Sequence, residues 1–507
     1  MLPIDDNAPD LAATGVEGLD KVLRGGLPRN RLYLVEGNPG TGKTTLALQF
    51  LLEGMRHGEK GLYVTLSETK EELYGVAKSH GWSLDGLTIF DLAVPEGVLP
   101  EDGQYTLYHP SEVELGETTR AMFDEIERVR PRRVVFDSLS EMRLLARDPL
   151  RYRRQILALK QFFIGRQSTV LLLDDHTSQE SDNQLESLAH GVLMLEHRSP
   201  MYGGPRRHIN VLKLRGVNYV GGYHDFNIQT GGMVVFPRLI ASDHQKTFAR
   251  EILSSGLANL DSLTGGGLDS GTATLIMGPA GTGKSTLASQ YAVAAAERGQ
   301  KAAIYIFDEG RSTLLARSSG LGINLARQME AGRCTIRQID PAEISSGEFS
   351  DLVCRSVEND GAKVVVIDSL NGYLQAMPEE NFLTVHMHEV LAYLNQQGIV
   401  TILIVAQHGL FGSNMPPPVD LSYLADTVLL LRYFESSGRV RKAISVVKKR
   451  TSGHEDSIRE FRLTSNGIEV GDALSNFEGI LTGLPRYIGK GKGLMEDGND
   501  DEGETGQ

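Results

Sequence analysis

Two cysteines, Cys334 and Cys354, are all this chain of 507 residues has. With no CxxC pair and no metal-ligand spacing, a disulfide framework and a structural zinc site are both excluded, and two thiols in a reducing cytoplasm are expected. No apolar run approaches the roughly 18 residues a membrane span needs. The opening "MLPIDDNAPDLAATG" has neither the basic stretch nor the apolar core of a secretion signal. An excess of positive charge is also missing: the net charge is −14. That balance argues against a dedicated nucleic-acid binder, which carries a basic face. Part of the acidity sits in the terminal "MEDGNDDEGETGQ", a Gly-rich acidic stretch that cannot bury a core and reads as a disordered tail over 486–507.

The chain does have bulk and repetition. With 40% hydrophobic and 23% charged residues its composition is that of a globular protein, and its length implies two large domains. "GNPGTGKTTL" begins at Gly37 and "GPAGTGKSTL" at Gly278, so Lys43 and Lys284 stand 241 positions apart (284 − 43). Gly15 and Gly256 share that offset, as do Glu68 and Glu309. A register held over more than fifty residues is the mark of tandem duplication of a whole domain. The expected domains are 1–240 and 241–485.

Each copy alternates short apolar runs with helix-compatible segments. "RLYLVEG", "GLYVTLSE", "RRVVFDS" and "STVLLLDDH" have counterparts in "TATLIMG", "AAIYIFDE", "KVVVIDS" and "IVTILIVAQH". Runs this apolar are strands buried on both faces, and their alternation with helices predicts a mostly parallel α/β sheet flanked by helices. "HINVLKLRG" and "KAISVVKKR" are expected as antiparallel strands at the edge.

Gly37-Asn38-Pro39-Gly40-Thr41-Gly42-Lys43-Thr44-Thr45 and Gly278-Pro279-Ala280-Gly281-Thr282-Gly283-Lys284-Ser285-Thr286 both satisfy the P-loop pattern of tandem nucleotide-binding domains. Glycines let backbone N–H groups curl around phosphate oxygens, and the helix that follows adds its dipole. Lys43 and Lys284 would neutralise the β- and γ-phosphates of ATP, and Thr44 and Ser285 would ligate Mg²⁺. Asp137 and Asp368 close apolar strands as metal-holding aspartates do, the alternative being a strand-end Asp that caps the next turn. Glu68 and Glu309 follow the second strand of each copy, where a carboxylate can orient or deprotonate the attacking group. Solvated loop carboxylates would be the plainer reading. Asp308 precedes Glu309, whereas Ser67 precedes Glu68.

The tandem cradles, "YVTLSETKEELYGVAKSHGW", "VLKLRG" and "KKRTSGHEDSIREF…NFEGILTG" together resemble the circadian-clock ATPase family KaiC and its bacterial relatives, over nearly all of Gly15 to Pro485. The resemblance implies tandem RecA-like domains, homohexameric double rings with ATP between adjacent subunits, and clock or signalling partner proteins. It implies slow hydrolysis in the first ring and autophosphorylation in the second. The family's Lys-x-Arg pairs, which reach the neighbour's nucleotide, match Lys213 with Arg215 and Lys448 with Arg450. Its acidic pair matches Ser67-Glu68, where one acid is missing, and Asp308-Glu309, where the first is shortened by a methylene. Its adjacent Ser-Thr phosphorylation sites align with Ser422 and Tyr423. A tyrosine hydroxyl sits too far from the backbone to meet the same γ-phosphate, so one-site serine phosphorylation is expected. A DNA-dependent RecA-like motor and a nucleotide-gated scaffold with little turnover are the other readings.

Overall fold

The computed structural model describes residues 10–92, 110–146, 148–175, 182–375, 382–407, 423–436, 438–481 and 486–488. Ser422 and the acidic tail beyond residue 488 lie outside the described residues. The chain divides into two compact units, 1–238 and 239–507. Among the described residues no helix is long and apolar enough to cross a membrane.

The first unit is built on a nine-stranded sheet. In chain order its strands are β1 (Leu32–Gly37), β2 (Gly61–Thr65), β3 (Thr88–Asp91), β4 (Arg133–Asp137), β5 (Thr169–Asp175), β6 (Gly191–Arg198), β7 (Arg206–Leu214), β8 (Tyr223–Gln229) and β9 (Gly232–Phe236). Their spatial order is β9-β8-β7-β6-β1-β5-β4-β2-β3. The six strands from β6 to β3 are parallel, and β7, β8 and β9 continue the sheet antiparallel. The second unit repeats this plan with β10 (Thr272–Gly278), β11 (Lys301–Ile306), β12 (Cys334–Gln338), β13 (Ala362–Asp368), β14 (Val400–Ala406), β15 (Thr427–Ser436), β16 (Arg439–Lys449), β17 (Ile458–Thr464) and β18 (Gly467–Ala473). Its order, β18-β17-β16-β15-β10-β14-β13-β11-β12, is the same nine-strand arrangement.

Every predicted apolar run is a strand of the parallel region. β7 and β16, expected at the edge, are antiparallel but not outermost. Two more strands lie beyond each of them.

The apolar runs are continuous because each central strand is covered on both faces. In β1, Tyr33 and Val35 pack with Leu46, Phe50 and Leu51 of helix α1 (Lys43–Arg56) on one side. Leu34, between them, joins Ile156 and Leu159 of the helix Pro149–Phe163 on the other. Successive strand residues thus feed opposite layers. Helix α2 (Lys284–Glu297) takes the place of α1 in the second unit.

The outer strands support the cradles. Gly42 and Gly283, the residues before α1 and α2, hold left-handed φ values of 100° and 105°. A Cβ on Gly42 would lie 2.5 Å from Ile228 Cδ1 of β8, and one on Gly283 3.0 Å from Leu463 and Phe461 of β17. Only glycine fits both the backbone angle and the space.

Candidate functional site

In the first unit the loop after β1 wraps toward α1. A Cβ on Gly40, with φ of 81°, would meet nothing within 4 Å, so that face of the loop is open. Lys43 is buried, and its Nζ donates to the carbonyls of Gly37 at 2.7 Å and Asn38 at 3.2 Å. Thr44 Oγ1 donates to Asp137 Oδ2 at 3.4 Å, which brings the hydroxyl and carboxylate expected to share a cation to one point. The same carboxylate accepts from the buried Tyr63 hydroxyl at 2.5 Å. Burial pushes the Asp137 carboxyl up, against the pull of Tyr63 and Lys43.

Glu68 lies at the mouth of this group. Thr65, the last residue of β2, fixes its backbone: Thr65 Oγ1 accepts from Glu68 N at 3.0 Å and donates to Glu68 O at 2.6 Å. Thr69 and Glu72 then form a capping box that starts the helix Lys70–Ser79. Oε2 of Glu68 is buried and has no hydrogen-bond partner among the described residues. Burial, then the negative charges of Asp137 and Glu72, push the carboxyl up to about 7. A carboxyl near 7 changes charge at the pH where a general base works best.

Two contacts here had no sequence signal assigned to them. Asp175, at the end of β5, lies 2.7 Å from Lys43 Nζ, and Tyr63 holds Asp137. Asp175 faces Gly37 in the strand register, where Ala406 faces Gly278 in the second unit. The "DD" that ends "STVLLLDDH" was the available clue. An incoming phosphate must take Lys43 from Asp175, and charge-assisted hydrogen bonds contribute roughly 1.5–3 kcal/mol. Asp175→Asn is therefore expected to tighten nucleotide binding at the first cradle about tenfold, measured by titration of protein carrying Lys284→Met. Unchanged or weaker binding would show that Asp175 does not compete.

The second cradle uses the same backbone with different neighbours. Lys284 is buried and donates to Pro279 O at 2.8 Å. Burial pushes its ammonium down to about 8, partly opposed by the charge of Asp368. Burial also raises the Asp368 carboxyl, while a hydrogen bond from Ser285 and the charge of Arg317 act the other way. Asp308 accepts a short hydrogen bond from the buried Ser369 hydroxyl. It is closely packed too: a Cβ on Gly372 would lie 2.4 Å from Asp308 Oδ1. Glu309 is engaged by Arg317, whose Nη1 donates to Oε1 at 3.0 Å. A cavity of about 450 Å³ is lined by Gly281, Gly283, Lys284, Ser285, Thr286 and Arg317.

The Lys-x-Arg pairs stand elsewhere on each sheet. Lys213 is paired with Val192, which faces Leu34 of β1. The cradle begins at Gly37, three residues on, or roughly 10 Å along the strand at about 3.3 Å per residue. Lys213 Nζ donates to Glu186 O, and Arg215 Nη2 donates to Ser187 O at 3.1 Å. In the second unit Lys448 faces Val428, which faces Leu275, three residues before Gly278. Lys448 Nζ donates to Ala425 O at 2.8 Å and Arg450 Nη2 to Tyr423 O at 3.1 Å. Both pairs thus lie short of their own cradle, toward the opposite end of the strands.

These cradles suit a nucleoside triphosphate with a divalent cation. Each has a glycine loop, a buried ammonium and a hydroxyl near a strand-end aspartate, and in the second the Tyr433 hydroxyl stands over the loop, donating to Ala280 O at 3.1 Å. When bound, the cation would neutralise phosphate charge, held by Thr44 and Asp137 or by Ser285 and Asp368.

Comparison with known proteins agrees. The family model for the KaiC ATPase matches residues 12–240 and again 253–475. The circadian clock oscillator protein KaiC of Parasynechococcus marenigrum is 29% identical over 482 residues, covering 94% of this chain and 93% of its own. That of Prochlorococcus marinus strain SARG is 30% identical over 483 residues, covering 94% and 95%. The KaiC of Thermostichus vulcanus is 29% identical over 482 residues, with coverage of 94% and 92%. With two RecA-like domains, two phosphate cradles and a family match over most of its length, this chain belongs to the KaiC family and is an ATP-binding, ATP-hydrolysing protein.

Proposed function

We propose that the chain works as a homohexamer in which each cradle is completed by the Lys-x-Arg pair of an adjacent copy. In this reading the first domain hydrolyses ATP and the second phosphorylates Ser422, so the ring reports its nucleotide state to a signalling or clock partner. The observation that carries it is the position of Lys213, Arg215, Lys448 and Arg450 along their strands, toward the end away from their own nucleotide site. A guanidinium there cannot serve the γ-phosphate in cis, whereas a neighbouring copy can present it in trans.

The transfer step follows from these roles. The Ser422 hydroxyl oxygen attacks the γ-phosphorus, its proton passes to a carboxylate of the Asp308–Glu309 pair, and the bond to the bridging oxygen breaks to release ADP.

Two inactive variants test the reading together. Lys284→Met removes the donor cradle and Ser422→Ala removes the acceptor. Mixed with Mg²⁺ and ATP, they are expected to give phosphate on Ser422 of the Lys284→Met chain, read by mass spectrometry of peptides from distinguishable copies. If wild-type protein takes up no phosphate, the kinase reading fails. If wild type is labelled but the mixture is not, transfer between copies fails.

A further inference from the structure

Arg317 separates the second cradle from the first. It belongs to the helix Arg311–Gly320, which matches Lys70–Ser79 at the same 241-residue offset. The corresponding residue of the first domain is Val76. Arg317 therefore has no counterpart where the two cradles are otherwise most alike.

Its surroundings make it a ligand in waiting. Arg317 lines the same cavity as Lys284 and Ser285. Nη1 is hydrogen-bonded to Glu309 Oε1 at 3.0 Å, and Nη2 lies 3.0 Å from Oε2. Nη2 is nevertheless outside hydrogen-bonding geometry with that oxygen, and Nε and Nη2 are buried donors with no hydrogen-bond partner among the described residues. Buried guanidinium donors are rarely left unsatisfied, and phosphate oxygens are the acceptors their fork fits best. A terminal phosphate carries more charge than one carboxylate and offers three oxygens, so it competes well for the same cation.

We propose that Arg317 is a phosphate ligand supplied in cis to the second cradle, held by Glu309 until a triphosphate enters and then exchanged onto its terminal phosphate, which releases the Glu309 carboxylate. The inference rests on the reading that the second cradle binds ATP. It distinguishes ATP from ADP, because only ATP brings the terminal phosphate to Arg317. It also gives the second domain a gate that the first, with Val76, does not possess.

The test uses full-length protein carrying Lys43→Met, so that only the second cradle reports, and displacement of a fluorescent adenine nucleotide by ATP or ADP. Arg317→Met is expected to weaken ATP about tenfold and ADP less than twofold, one such contact corresponding to about 1.4 kcal/mol. Arg317→Lys, which keeps the charge but loses the fork, should fall between. Glu309→Gln should tighten ATP severalfold, and the gain should vanish when Arg317→Met is added. Equal loss of ATP and ADP in Arg317→Met, or a Glu309→Gln gain that survives without Arg317, overturns the exchange. Failure of the Lys43→Met protein to bind either nucleotide overturns the ATP reading itself, and the proposal with it. Matching thermal unfolding of the variants excludes misfolding as the cause.

Discussion

Glu68→Gln is expected to lower ATP turnover by the first domain about 10²–10⁴-fold, the range for loss of a positioned general base. Ser67 leaves Glu68 as the one carboxylate of its pair, and Thr65 holds its backbone by two hydrogen bonds. The substitution keeps shape and removes only the charge and the proton affinity. The pH profile gives a second readout. Burial and the neighbouring Asp137 and Glu72 hold the Glu68 carboxyl at about 7, so in the free protein it is protonated below that pH and cannot accept a proton. Because kcat/KM reports the free enzyme, it should rise about tenfold per pH unit up to about 7 and level off above.

Measured in Lys284→Met protein, Glu68→Gln should be slow and should lose this limb. A flat profile, or a Gln variant with normal turnover, would show that Glu68 is not the base. Linkage acts in the opposite sense on stability. A carboxyl raised from 4.5 to about 7 on folding favours the folded state below pH 4.5, and that contribution is lost as pH rises through 7.

The two domains therefore differ where their sequences looked most alike. The cradles, the most apolar strands and the Asp137 and Asp368 strand ends were legible because each is a local pattern: an apolar run, then fixed glycines, lysine and hydroxyl. The duplication was legible as a constant offset. Four strands of each sheet were not read, β3, β6, β8 and β9 in the first and β12, β15, β17 and β18 in the second: "TIFD" and "GMVVF" are short, "YHDFNIQT" is mostly polar, and none of these carries a motif residue. The partners of the site residues escaped for another reason. Asp175 reaches Lys43 across more than a hundred residues, and a strand-end aspartate has no spacing signature. Arg317 is close to Glu309 in the chain, but its meaning appears only when the offset is carried through to Val76. Comparison of the repeats residue by residue, rather than motif by motif, would have singled it out.

Arg133→Met is expected to destabilise the first domain by about 3–5 kcal/mol, the cost of breaking a buried ion pair from one side. In the sequence Arg133 is only the basic residue ahead of "VVFDS". In the fold it is 1% exposed, the first residue of β4. Its Nη1 donates to Ala13 O at 2.6 Å and Phe50 O at 2.8 Å, and its guanidinium lies 4.6 Å from the centre of the Phe50 ring. Its Nε pairs with Glu59, which also holds Arg29. One side chain thus ties the entering chain to the middle of α1, the helix whose first residue is Lys43. Burial pushes the Glu59 carboxyl up, but the hydrogen bonds and charges of Arg133 and Arg29 outweigh it and hold the group below its ordinary value. The stability this adds is present at neutral pH and is lost as pH falls through the carboxylate range.

Methionine fills the stem's volume but leaves Glu59 with Arg29 as its one remaining cation and leaves Glu59 Oε2 and two carbonyls without the donor Arg133 supplied. Against a total of about 5–15 kcal/mol for a domain, that loss is a large share. Trp82, the only tryptophan, lies in this domain and reports its unfolding in a denaturant titration. In the second domain the matching register position is Val364, fully buried among apolar neighbours. The site therefore tolerates an apolar residue when no carboxylate faces it. Adding Glu59→Gln to Arg133→Met should accordingly recover part of the loss. A single variant within about 0.5 kcal/mol of wild type, where ordinary surface changes fall, would show that Arg133 is a passenger. A double variant no more stable than the single would place the loss in the two carbonyls instead of the stranded carboxylate.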